Sequence, residues 1–235
     1  MIVAQIVASR HRGCWASDTS LKFPGFKYLL FLVNYDSDHY EVITRFIPKD
    51  STNLHGIFDV LGAIRDHPLW WGFDPIEGLP STVRLIKIRD MGKCEGLIRP
   101  VLYERDADFP EYQLMEVDNG KETIYAVFDN YKSLKRVEKT LKERIGRTRI
   151  SINTISENAT RSQVVDLIPT WYDAFMSKGV AQLVKKSIKL KEEERGIPES
   201  VLEKIKKYLE KHPEICSILL SIIQRISDFF RFSID

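Results

Sequence analysis

The sequence predicts an α+β protein, and three observations carry that expectation. The order β, short α or loop, β, β, α, β occurs twice, over residues 2–78 and again over 82–156. An Asn-Gly turn signal sits between two apolar runs in the second series, where the first has the polar turn "DSDH". After about residue 157 the strand signals stop and helical spacing takes over.

Each element has its own reason. "IVAQIVAS" is short and β-branched, so it reads as a buried strand. "FKYLLFLVNY" and "YEVITRFIP" flank the polar turn and form a hairpin. "STNLHGIFDVLGAIRDHP" opens with Ser51 or Thr52 as N-cap, spaces Leu54, Ile57, Phe58, Leu61 and Ile64 along one helical face, and stops before Pro68. "LWWGFDPIEGLP" is a short aromatic strand whose alternation puts Trp70 and Trp71 on opposite faces.

The second series begins with the alternating "STVRLIKIRD". "CEGLIRPVLYER" follows as a helix that Pro100 forces to start late or kink. "YQLMEVDNGKETIYAVFD" is the clearest hairpin, with Asn119-Gly120 suited to a type I′ turn. "YKSLKRVEKTLKERIG" places Leu134, Val137, Leu141 and Ile145 at helical spacing and ends on Gly146. "RTRISINTIS" is the closing strand. The expected architecture is two tandem ferredoxin-like modules (βαββαβ, ACT-like), residues 1–78 and 79–156, followed by an all-α region over 157–235.

Composition limits the function classes. The 235-residue chain is 43% hydrophobic and 29% charged, which excludes fibrous and disordered classes. Its net charge of +2 is spread without a strongly basic third, so a nucleic-acid partner would need a local patch. Cys14, Cys94 and Cys216 are odd in number and lack CxxC spacing, which points away from a disulfide framework and towards the reducing cytoplasm. The N-terminal apolar run precedes its charges, the reverse of a secretory signal. Gln224, Arg225, Asp228 and Arg231 interrupt the apolar C-terminal stretch, so no membrane span is expected.

The stretch "HRGCW" concentrates chemistry. His11, Cys14 and the remote Cys94 are nitrogen and sulfur donors of the kind zinc takes. Without paired motifs, however, the better reading is a packing corner: Gly13 turns the chain, and Cys14 and Trp15 enter the core. Arg10, His11 and Arg12 leave a ligand-sensing or thiol role open for His11, Cys14 and Trp15. No GxGxxG, GxxxxGK[ST], HExxH or GxSxG motif occurs, so neither an enzyme nor a metal or cofactor is expected.

The C-terminal helices carry Lys185, Lys186, Lys189, Lys204 and Lys207, a set able to contact phosphates, interleaved with glutamates that suit a solvated helix surface. In the last segment Leu219, Ile222, Ile226 and Phe229 fall at near-heptad spacing, the pattern of a dimerising helix.

Together, "HRGCW", the stretch "GLIRPVLYERDADFPEYQLMEVDNGKETIYAVFD" and the following "LKRVEKTLKERIG" resemble the sensor region of archaeal regulators of the bacterio-opsin-activator type, over about residues 1–156. The resemblance implies a tandem α+β sensor that takes a small-molecule effector, and a C-terminal helix-turn-helix that binds double-stranded DNA. Thr160 and Gln163 match the T-x-x-Q opening of that helix-turn-helix. "GIPESVLEKIKKYLEK" stands at the position of the recognition helix, with Ser200, Lys204 and Lys207 on its groove face. The family's tyrosine-rich turn with Pro-Arg and its Leu-Gly-Ile-Ser ending are absent here. The sequence thus predicts a cytoplasmic transcriptional regulator or regulator-like protein. The alternative is a ligand-sensing or scaffold protein that does not bind DNA and forms a homodimer through its last helix.

Overall fold

The computed structural model describes residues 1–10, 13–35, 39–75, 81–89, 98, 114–213 and 215. In chain order its elements are β1 (Ile2–Ser9), α1 (Trp15–Lys22), β2 (Phe26–Tyr35), β3 (His39–Pro48), α2 (Ile57–Arg65), β4 (Trp70–Pro75), β5 (Val83–Arg89), β6 (Leu114–Asp118), β7 (Lys121–Phe128), α3 (Tyr131–Ile145) and β8 (Ile150–Ser156). The C-terminal region adds α4 (Arg161–Leu167), α5 (Trp171–Phe175), α6 (Lys178–Glu192) and α7 (Glu199–Lys211).

The chain is a mixed α+β protein built on one eight-stranded antiparallel sheet, ordered β4-β5-β3-β2-β6-β7-β1-β8. One strand of each sequence series lies in the half of the sheet formed by the other. β5, read as the opening strand of the second series, lies between β4 and β3. β1 lies between β7 and β8, and the halves join where β2 pairs with β6. The two series therefore share one sheet. Side-chain phasing makes the crossing favourable: the buried Ile2, Ala4 and Ile6 of β1 stand directly beside the buried Phe128, Ala126 and Ile124 of β7.

Both faces of the central strands are covered. On one face Tyr28, Leu30, Val42 and Phe46 pack against α1, α2 and α3 in the main core. On the other, Leu29, Phe31 and Ile43 meet Tyr172, Ala174, Ala181 and the inner sides of α6 and α7. Two-sided burial explains why β2 reads as an unbroken apolar run while the edge strand β8 does not. A smaller cluster of Val164 from α4 and Ile168 just after it with Val3 and Val127 extends the second layer.

The second-face helices are fastened by polar contacts. The Arg45 guanidinium donates to the Ala174 carbonyl at the end of α5. Asp173 accepts from the Thr170 backbone N–H (2.9 Å) and hydroxyl (2.6 Å), closing the start of α5, and pairs with Lys185 of α6 at 2.8 Å. The Gln163 side chain accepts from the Thr160 N–H at 3.0 Å, so the T-x-x-Q pattern acts here as a helix-starting capping box.

Some local expectations need correction. α2 starts at Ile57, not near Ser51: Asp50 accepts from the Thr52 N–H, the chain turns, and a 3-10 turn at Leu54–Gly56 leads in. Leu54 and Phe58, assigned to the apolar face, are exposed, while Ile57, Val60, Leu61 and Ile64 are buried. Other expectations hold. Asn119 (φ 50°) and Gly120 (φ 74°) both adopt positive φ, as a type I′ turn requires, and Leu134, Val137, Leu141 and Ile145 form the buried stripe of α3. The expected helix at 94–105 falls outside the described residues except for Ile98, which is helical and buried. The dimerisation residues Leu219, Ile222, Ile226 and Phe229 also lie outside them. Among the described residues no helix is long and apolar enough to cross a membrane.

Candidate functional site

The chain leaves β1 and turns through Gly13, whose φ of 86° is a conformation that L side chains rarely adopt. Cys14 follows in extended conformation as the N-cap of α1, and Trp15 begins the helix. Trp15 is wholly buried, and its indole N–H donates to the Tyr40 hydroxyl at 2.8 Å. The Cys14 thiol, also buried, donates to Glu122 Oε1 at 2.8 Å. A thiol facing a carboxylate has the opposite surroundings from the cationic ones that activate cysteine. The corner expected from "GCW" is thus a packing corner with two buried polar contacts. His11 and Cys94, its suggested partners, lie outside the described residues.

Glu122 escaped the sequence reading although a signal was there. It is in phase with Ile124, Ala126 and Phe128 on β7, so alternation points a carboxylate inward, and it is only 2% exposed.

α1 is fixed a second time, against the β6–β7 turn. Ser17 Oγ donates to the Gly120 carbonyl, and Ser20 Oγ accepts from the Gly120 N–H, both at 2.9 Å. With α1 held on this side, a cleft of about 1060 Å³ opens on its other side, between α1, α2 and the His67–Leu69 turn. Leu21, Phe23, Phe58 and Leu69 give it apolar walls, and Asp18 and His67 supply polar groups. A Cβ placed on Gly62 would meet no atom within 4 Å, so the α2 wall is open there. The volume lies just above the usual small-molecule range, roughly 300–1,000 Å³.

His67 is oriented by its own backbone. Its Nδ1 accepts from the Leu69 N–H at 3.3 Å, which places the proton of the neutral ring on Nε2, 3.7 Å from Asp18 Oδ2. Burial pushes its pKa below the ordinary 6.5; the Asp18 carboxylate partly opposes this, and Lys22 adds to the lowering. At neutral pH the cleft therefore holds a neutral imidazole beside a half-buried carboxylate. Asp18, His67 and Phe58 were absent from the sequence-level candidates, because only packing brings α1 against the end of α2.

The suggested phosphate-contacting residues divide. Lys185 and Lys189 are paired within the fold, with Asp173 and Asp166 respectively. Lys186, Ser200, Lys204 and Lys207 are exposed, and Lys207 stands 4.0 Å from Glu203 on the same helix. Comparison with family models, curated proteins and solved structures finds no match.

Proposed function

We propose that this protein is a cytoplasmic ligand sensor of regulator-like type, with the α1–α2 cleft as its effector site. The observation that carries the reading is the cleft itself: apolar walls, an oriented imidazole and a half-buried carboxylate, all on elements anchored to one sheet. In this reading the sheet consists of two ferredoxin-like modules that exchange first strands. The orders β4-β5-β3-β2 and β8-β1-β7-β6 each follow the split βαβ pattern once β5 and β1 trade places. The exchange ties the halves together, so an effector wedged between α1 and α2 acts on strands of both. A fragment screen by 15N-HSQC on the full chain tests this. Shifts gathered on Asp18, Lys22, Phe58, Gly62 and His67 support it, and a screen that leaves these residues unmoved overturns it.

A second reading, DNA binding by α7, is favoured by one observation: Ser200, Lys204 and Lys207 are exposed, while Val201, Tyr208 and Leu209 of the same helix turn inward. Against it, α6 and α7 lie on the sheet, and three of the six candidate contacts are already paired with carboxylates. Fluorescence anisotropy on duplex DNA at low and moderate salt separates the readings. Binding that weakens steeply with salt and is lost in Lys204→Ala/Lys207→Ala supports DNA contact by α7, and no binding at low salt removes it.

A further inference from the structure

Resting on that sensor reading, the charge layout of the cleft narrows its ligand. Arg10, Lys22, Asp59 and Asp66 all line the cleft and all are exposed, two of each sign, so water screens them and their charges offset. Asp18 is different. Its side chain is 37% exposed, it stands beside His67, which is 10% exposed, and it faces apolar walls. The neutral imidazole gives it a polar neighbour, and Lys22, a turn further along α1, is exposed to water that screens its charge. A carboxylate so placed is complemented by a ligand cation, and the attraction is stronger than it would be in open water.

The aromatic wall adds a second constraint. Phe58 is 67% exposed on α2, one turn away from the Gly62 gap, and Leu21 and Leu69 also line the cleft. A flat apolar body inserted there covers an aromatic face that the folded chain leaves to water. We infer that the α1–α2 cleft binds an arylalkylamine, its ammonium group on the Asp18 carboxylate and its ring against Phe58. A carboxylate ligand would face Asp18 as a like charge, and a purely aliphatic cation would leave Phe58 uncovered.

The test uses three probes with the same ring and different head groups: phenethylamine, phenylethanol and phenylacetate. Each is titrated into the 15N-labelled full chain at pH 7.5. Phenethylamine is expected to shift Asp18, Phe58, Gly62 and His67 and to bind at least tenfold more tightly than phenylacetate. Asp18→Asn should weaken it tenfold or more with an otherwise native spectrum, while Asp59→Asn should change it less than threefold. Lys22→Ala, which removes a competing cation, should tighten it. Equal or tighter binding of phenylacetate or phenylethanol at these residues overturns the amine assignment and leaves the cleft as a ligand site. A cleft that responds to none of the three probes overturns the amine assignment, and the wider sensor reading falls only if the broad fragment screen is silent there too.

Discussion

Replacing Ser20 by Ala tests how the hairpin and α1 are held together. Ser20 Oγ accepts from the Gly120 N–H at 2.9 Å and donates to the Ser17 carbonyl at 3.1 Å, all in a buried setting. In a type I′ turn the N–H of the second central residue has no ladder partner, so the alanine variant leaves that donor buried and unpaired. Such a loss costs about 1–3 kcal/mol. Alanine's better helix propensity offsets up to about 0.7 kcal/mol. The net expectation is about 0.3–3 kcal/mol of destabilisation. At about 2–4 °C per kcal/mol for a chain of this size, this lowers Tm by several degrees. Ser17→Ala removes the donor to the Gly120 carbonyl. Because both serines hold the backbone of one residue, through its N–H and its carbonyl, the double variant should deviate from additivity by at least about 0.5 kcal/mol. Urea unfolding followed by circular dichroism measures all three. A Ser20→Ala variant as stable as wild type, or strictly additive serine variants, would refute the clamp.

Gly120→Ala forces a Cβ into φ 74° with Leu21 Cδ1 at 3.4 Å, and should cost about 1–2 kcal/mol; Gly62→Ala, mid-helix with open space around it, should instead stabilise by about 0.5–1 kcal/mol. Opposite signs in urea melts are the expected result, and equal signs would contradict it. Trp15→Phe removes the indole donor to Tyr40 and part of a fully buried ring, so a loss of about 1–3 kcal/mol is expected by the same assay. The folded-state pKa of His67 is depressed, so the unfolded chain takes up the proton first as pH falls. The stability from burying the neutral ring is complete above pH 6.5 and declines as pH drops from there through the folded value. His67→Gln should flatten this part of the stability curve, and parallel curves for wild type and variant between about pH 7.5 and 5 would count against the assignment. Asp173→Ala removes the closure of α5 and the pair with Lys185, and should destabilise by about 1–2 kcal/mol.

The sequence by itself determined what is set by neighbours along the chain. Alternation and β-branched runs marked β1, β2, β3 and β5–β8; Asn119-Gly120 specified its turn, because positive φ is a property of those two residues; and the stripe of α3 located its buried face. The "GCW" corner was legible because a glycine, a small thiol and a large indole after a strand have few places to go but a turn and a core. Glu122 was readable in principle from its phase on β7. The late start of α2 was harder, since the polar turn at Asp50–Thr52 competed with an otherwise acceptable N-cap.

Tertiary structure alone decided which strands became neighbours. Period-2 patterning assigns a face to each residue but no partner to each strand, so two series in order and two series interleaved look the same in sequence. The cleft is likewise a product of packing: α1 and α2 cover the same face of the sheet and lie beside one another there. Asp18 and His67, 49 positions apart in the chain, meet there because side-chain packing and charge act through space, where sequence distance has no force.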